Sequence, residues 1–335
     1  MTKHSLSSII GMILMLTLSC KKNNNDNDLN NFSSNIAPTV PTLTTTNVSS
    51  IKLSTVNVSG KIISDGGAPI ITSGICWDIN DSPTINDYKT TNGTLSGSFT
   101  NLISGLSPNT FYFMRAYATN NIGTGYSNQL FVKTCNDSIS DVDGNIYYTI
   151  IIGTQEWMIE NLKTTKYRNG NSIPLVIDKN DLWDNLTTGA YCNKNNSIND
   201  AMIYGKLYNW YAVTDSRCIA PLGWHVPSDA EWNILVEYLG GSNIAGGRLK
   251  EASTAHWVFP NTGADNYSGF MGLPSGSRPD GGELSSIGYS TFWWSTSDSC
   301  ATLAWNRHID THNAYIEKCY AYKGKVGFSV RCIKD

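Results

Sequence analysis

Apolar and polar positions are most sharply ordered between Gly223 and Gly241. Trp224, His225 and Val226 form a short strand-like run that stops at Pro227. Ser228 stands three residues before Glu231, the spacing of a capping box. In that motif the serine hydroxyl takes the free amide of the third helical residue and the glutamate reaches back to the serine amide. Trp232, Leu235, Val236 and Leu239 follow at helical spacing, and Gly240-Gly241 supplies the stop. From Pro38 to about Thr134 the period changes to two. Val56, Val58 and Ile62 alternate with polar residues, and Ile70, Ile71, Ile75 and Trp77 build a strand around Gly74. Beyond it, residues 143–162 read as a hairpin. Asp200 is placed to cap a helix whose Tyr204, Leu207, Tyr208 and Tyr211 share one face. Trp293 and Trp294 lie in a strand, so at least one of them must face a core.

The N-terminus follows neither period. Lys3 and His4 precede an apolar run from Ile9 to Leu18, too short for a comfortable permanent membrane helix, so residues 1–20 read as a secretion signal. Residues 21–37 are polar throughout and read as a disordered tether, its ends roughly 20–25 Å apart. The remainder divides into an all-β domain at 38–134, a linker at 135–140 and an α+β domain at 141–335. A length of 335 residues accommodates both. A formal charge of −3 argues against a nucleic-acid partner, because no basic surplus displaces counterions from phosphates.

Four resemblances sharpen this outline. Leu16-Thr17-Leu18-Ser19-Cys20 resembles a bacterial lipoprotein signal, with Thr17 where the pattern prefers Leu, Val or Ile. It implies a lipidated Cys20 and a membrane partner held through acyl chains; the alternative is an ordinary secretory signal cut near Ser19. The Asn/Asp-rich run that follows is similar to the export signals of surface lipoproteins, which implies an outer-membrane protein facing outward. Leu106-Ser-Pro108-Asn-Thr110-Phe-Tyr112-Phe-Met114-Arg-Ala116 resembles the fibronectin type III module, an immunoglobulin-like β-sandwich. There Tyr112 would be the corner tyrosine, its ring in the core and its hydroxyl on the backbone upstream.

In the last domain, Asp143-Gly144-Asn145-Ile146-Tyr147, Gly153-Thr154-Gln155-Glu156-Trp157, Gly189-Ala190-Tyr191-Cys192, Tyr204-Gly205-Lys206-Leu207-Tyr208-Asn209-Trp210 and Gly327-Phe328-Ser329-Val330-Arg331-Cys332 together resemble the Fibrobacter succinogenes major paralogous domain family, bacterial surface lipoprotein domains. Glu156 departs from the cysteine many members carry. That family resembles the C-type lectin-like and formylglycine-generating-enzyme folds, which implies a disulfide from Cys218 to Cys332. Cys300 and Cys319 flank an expected hairpin turn near 310–313 and make a second candidate pair. Cys76, Cys135 and Cys192 remain, so at least one is free or intermolecular.

Candidate chemistry is sparse. Asp141, Asp143 and Asn145 alternate as in a calcium loop, but Ile146 and Ile152 stand where an EF-hand needs glycine and glutamate, so a turn is expected. His308 and His312 lie four apart without the zincin glutamate. No metal and no cofactor is expected. No nucleophile elbow or phosphate loop occurs. The oxidase on the formylglycine-generating fold uses closely spaced cysteines, whereas Cys319 and Cys332 are far apart, so no catalytic residue is assigned. Trp305-Asn306-Arg307 carries arginine where calcium-dependent lectins place aspartate, and no Glu-Pro-Asn occurs. The remaining candidates for ligand contact are Trp293, Trp294, Trp305, Arg307, His308, Tyr315, Tyr320 and Tyr322, residue types that anchor protein and glycan interfaces. The polar loop 261–277 is a second candidate rim. The expected function is non-catalytic adhesion or recognition of a glycan or cell-surface protein. The alternatives are a structural envelope protein without a discrete ligand, or an enzyme on the same fold.

Overall fold

Between Thr42 and Lys133 the alternating pattern is realised as two facing sheets. One holds β1 (Thr42–Ser49), β2 (Thr55–Ser64) and, after β3 (Thr72–Asp78) and β4 (Tyr88–Lys89), β5 (Ser98–Ser104), in the order β1-β2-β5. The other runs β4-β3-β6-β7 with β6 (Phe111–Thr119) and β7 (Thr124–Tyr126), and β8 (Leu130–Lys133) also pairs with β6. Val56, Val58, Phe99 and Ile103 meet Ile75, Met114, Ala116 and Val132 between them. The Tyr112 ring is buried in this core and its hydroxyl accepts the Ser107 N–H at 3.0 Å, the geometry expected of a corner tyrosine.

The computed structural model describes residues 37–94, 97–177, 183–280 and 284–335. The expected signal at 1–20, Cys20 and the tether up to residue 36 lie outside the described residues. Pro38 to Asp335 forms one compact unit. The stretch expected to link two domains is itself structured. Ser138–Ser140 forms β9 against β10 (Ile146–Ile152), with Asn136 N–H on Thr149 O at 2.7 Å. Ile139 packs into the core there, so an alternating Ser-Ile-Ser prefers a sheet edge to solvent. Tyr267 stacks on Phe111 and Phe131, and Lys133 Nζ donates to Ile151 O at 2.6 Å, seating the sandwich against the second half of the chain.

In that half, β10 turns at Gly153 into β11 (Gln155–Met158). The Asp141 carboxylate accepts the N–H groups of Asp143 and Asn145, which makes 141–145 the expected turn. The helix expected over 200–211 is broken into three pieces. β12 (Tyr191–Asn193) is followed by α1 (Ile198–Tyr204), capped by Ser197 rather than Asp200. Gly205 then adopts φ 79°, ψ −175°, and β13 (Lys206–Tyr208) pairs with β12. A short α2 (Trp210–Val213) follows, capped by Asn209. A helix through 206–208 would pair its backbone internally and leave the buried edge of β12 without partners; β13 supplies them, and Gly205 permits the reversal.

The Gly223–Gly241 pattern folds as predicted. β14 (Trp224–His225) leads to α3 (Asp229–Tyr238), with both capping-box hydrogen bonds formed. Gly240 and Gly241 have positive φ and donate to Glu237 O and Val236 O at 3.0 and 2.9 Å, the paired bonds of a Schellman stop. α4 (Ser242–Leu249) follows. Its Gly246 passes against the chain at Tyr315 so closely that a β-carbon there would sit 2.0 Å from Tyr315 O. β15 (Ser290–Asp298), β16 (Leu303–Asp310) and β17 (Glu317–Tyr322) form an antiparallel sheet, and β18 (Ile333–Lys334) joins β14 and β11.

Candidate recognition site

The β15-β16-β17 sheet divides two cores, and this decides the fate of most predicted contact residues. Trp294 faces a core with Tyr208, Phe328 and Val330; Trp293 faces another with Trp157, Trp232 and Phe270. Both indoles are fully buried and hydrogen-bonded, Trp293 Nε1 to Asn161 Oδ1 and Trp294 Nε1 to Tyr208 O, each at 2.8 Å. Neither is available to a ligand. Consecutive strand residues point to opposite faces, and here both faces are covered.

Arg307 is likewise withdrawn. It is 2 % exposed, and its Nη2 lies 2.7 Å from Asp229 Oδ1 at the start of α3. Nη2 donates to Asn233 Oδ1, also at 2.7 Å, and to the Asp229 backbone O at 3.4 Å, so the contact with the Asp229 carboxylate is charge proximity rather than an aligned hydrogen bond. Asp229 also takes Lys318 Nζ at 2.8 Å. Burial pushes the Asp229 pKa up, but the two cations outweigh it and hold the carboxyl below its usual range. Burial lowers the Arg307 pKa, with Asp229 opposing.

What remains open is a stripe on β17. Lys318, Tyr320 and Tyr322 alternate along one face of this edge strand, and Trp305 lies opposite Tyr320 in register. The Trp305 and Tyr320 rings meet edge-on at 6.0 Å, with Lys318 Nζ 4.0 Å above the indole. Tyr320 and Tyr322 are 62 % and 52 % exposed. Tyr315 is exposed too, in the turn before β17, beside an open groove of about 510 Å³ that Asn233, Val236 and Ser242 also line. Tyr322 carries the same exposure and alternation as its neighbours and completes the stripe. His308 does not meet His312: its Nδ1 is 3.0 Å from Glu317 Oε2 and its ring stacks on Phe292, whereas His312 lies in the turn with Asp310.

The loop 261–277 is not a free rim. Asn261 Nδ2 donates to Glu251 O and Ser253 O, and Lys250 Nζ donates to Thr262 O, Asp310 O and Asn313 O at 2.8–2.9 Å. Burial pushes the Lys250 pKa down to about 8.

The seven cysteines after Cys20 are all free thiols. Cys218 packs against the core that contains Cys332. Cys300 and Cys319, expected to pair, do not face each other: Cys319 lies opposite Asn306, while Cys300 sits at the far turn between β15 and β16. The register, set by Leu303 opposite Tyr322, keeps them beyond disulfide reach. Cys76, Cys135 and Cys192 are buried, and burial pushes their thiols up to about 11, 12 and 11.

A cleft of about 290 Å³ at the sandwich junction escaped the sequence reading. It gathers Val48, Lys133, Glu160, Glu251, His256 and Arg331. Its polar groups are already engaged with protein. Glu160 accepts Tyr148 N–H, His256 Nδ1 contacts Glu251, and Arg331 donates to Asn161 Oδ1, Met158 O, Ile159 O and Phe270 O. No local motif announces such a cleft, because its groups come from segments far apart along the chain. Glu156, the departure noted above, accepts from Asn136, Thr149 and Lys334 and so fastens β10, β18 and the segment before β9 to β11.

A mostly-β chain, with a two-sheet sandwich leading into a second half whose edge strand displays aromatics, defines the class. The profile of the Fibrobacter succinogenes major domain matches residues 150–334, and the chain belongs to that family. No curated protein matches it. Among solved structures, it is similar to the chicken CNTN1 FN1–FN3 domains at 16 % identity over 29 % of this chain and 33 % of that one, with a TM-score of 0.24. An FN3 domain of human collagen XX is similar at 16 % identity over 29 % of this chain and 95 % of that one, with a TM-score of 0.23.

Proposed function

We propose that this protein is a lipid-anchored, surface-displayed recognition protein whose C-terminal domain binds glycan or protein partners without catalysing a reaction. The observation that carries this reading is the β17 stripe. Tyr320 and Tyr322 stand in solvent beside Trp305, on a sheet whose other two tryptophans are sealed in cores. Exposed aromatic rings on a rigid strand give large contact area at small entropic cost, which suits a flat sugar face or an apolar peptide side chain. Lys318, over the indole, adds a charged hydrogen-bond donor at the same place.

The rest of the chain is read around that site. The sandwich is a fibronectin-III-like spacer, a reading the Tyr112 corner supports, and the domain after it is C-type lectin-like. Cys20 carries the lipid that anchors the protein to the outer membrane. In the oxidising envelope Cys218 and Cys332 join, a reading that their shared core supports.

The test is binding of the full chain to a glycan array and to envelope-protein pull-downs. Saturable binding is expected, and Trp305→Ala or Tyr320→Ala should reduce it at least about tenfold, the scale of one hot-spot residue, at an unchanged melting temperature. Binding indifferent to both substitutions would overturn the site. Absence of any saturable binding would favour the structural envelope reading.

A further inference from the structure

Register brings together a second group on the opposite face of the same hairpin. His308 lies opposite Glu317, and Asn306 lies opposite Cys319, so two adjacent cross-strand pairs share one face. The ligand atoms of His308, Glu317 and Cys319 all fall within 4.8 Å of one another. His308 Nδ1 is 3.0 Å from Glu317 Oε2, and Cys319 Sγ is 4.0 Å from the same oxygen. We propose that His308, Glu317 and Cys319 form a binding site for a thiophilic divalent ion of the Zn²⁺ class.

Several observations support it beyond proximity. Imidazole, carboxylate and thiolate are the zinc donor types. Tetrahedral bonds of about 2.0–2.3 Å put donors roughly 3.3–3.6 Å apart; the two contacts with Glu317 Oε2, 3.0 and 4.0 Å, bracket that spacing, and with all three atoms inside 4.8 Å a side-chain adjustment of up to about 1 Å closes the set. The imidazole is held in place by the Phe292 ring, stacked at 4.4 Å and 15°, so it is preorganised. Asn306 is 1 % exposed, and its Oδ1 is buried with no hydrogen-bond partner. A buried carbonyl oxygen without a donor is costly to leave so. A fourth ligand position, filled by that oxygen or by a water that donates to it, supplies one. The nearby cations do not compete, because Arg307 and Lys318 are paired with Asp229. β17 is an edge strand and Glu317 is exposed, so an ion has a path in from solvent. On binding, the Cys319 thiol releases its proton to water and the sulfur–metal bond takes its place.

The test uses the reduced, chelator-treated full chain titrated with Co²⁺. One equivalent should give sulfur-to-cobalt charge-transfer absorption, which Zn²⁺ then bleaches. Cys319→Ser should abolish the band, while Cys300→Ser and His312→Ala should leave it. His308→Ala and Glu317→Gln should each weaken Zn²⁺ binding at least about tenfold. In the unsubstituted chain Zn²⁺ should also slow alkylation of Cys319, read by peptide mass spectrometry, a measurement that needs no variant to fold. A band that survives Cys319→Ser, no band at all, or alkylation of Cys319 unaffected by Zn²⁺ would each leave His308 and Glu317 as a plain cross-strand ion pair and overturn the proposal.

Discussion

Asp229→Asn separates an architectural role for Arg307 from a role in ligand contact. The substitution keeps the side-chain shape but removes the charge that faces the 2 % exposed guanidinium. Breaking a fully buried ion pair by losing one partner costs about 3–5 kcal/mol, because the other charge is left buried and uncompensated. Two features reduce that figure here. The Asp229 side chain keeps 14 % exposure, and Asn233 Oδ1 still accepts from Nη2. One feature adds to it: Asp229 begins α3, where a carboxylate gains about 0.3–1 kcal/mol from the helix dipole. The expected loss is about 2–4 kcal/mol. Arg307→Met in the same chain removes the stranded charge and should recover at least half of it. Lys318→Met, which removes the more exposed cation, should cost under about 1 kcal/mol. Urea unfolding followed by tryptophan fluorescence reports all four proteins, since Trp232 and Trp293 lie in the adjoining core. The reasoning fails if the double variant is no more stable than Asp229→Asn, or if Lys318→Met alone costs as much.

Three further outcomes follow from particular contacts. Burial opposes charge on His225, but its hydrogen bonds to Asp335 and Glu231, at 2.7 and 2.8 Å, prevail and raise its pKa. Its contribution is therefore full below the unfolded value of about 6.5 and is lost as pH rises through the folded value. The stability difference between the native chain and His225→Gln should shrink from pH 6 to pH 9, and by under about 1 kcal/mol because the ring is partly solvated; a difference that grows over that range would contradict the assignment. Gly246→Ala puts a methyl group against the Tyr315 carbonyl and should cost about 1–3 kcal/mol in urea unfolding, at the upper end since a backbone must shift. Cys20→Ser should move the protein from membrane to soluble fractions on cell fractionation, and retention at the membrane would refute lipid anchoring.

Short-range physics was legible in the chain. Ser228 and Glu231 cap α3, Gly240 and Gly241 stop it, Asp141 shapes its turn, and Val56 and Val58 alternate into the sandwich core. In each case the deciding interaction spans a few residues or repeats at a local period. The Tyr112 corner belongs here too, because its partner Ser107 is five residues away. The family motifs were equally visible, since they are strings of residues.

Where a side chain's surroundings come from distant segments, only the folded chain decided. Trp293 and Trp294 are both buried because β15 is covered on both faces, which alternation alone does not reveal. The helix expected through Gly205 yields to a strand because β12 lies alongside to pair with it. Arg307 has the composition of a contact residue and the location of a keystone, its partner being Asp229 of another element. Spacing along the chain made Cys300 and Cys319 a candidate pair and gave His308 no partner, its neighbour His312 lacking the zincin glutamate. Strand register instead places His308 beside Glu317 and Cys319 beside Asn306. A strand's own period says which residues share a face, while its neighbour and register are chosen by the packing of the whole domain.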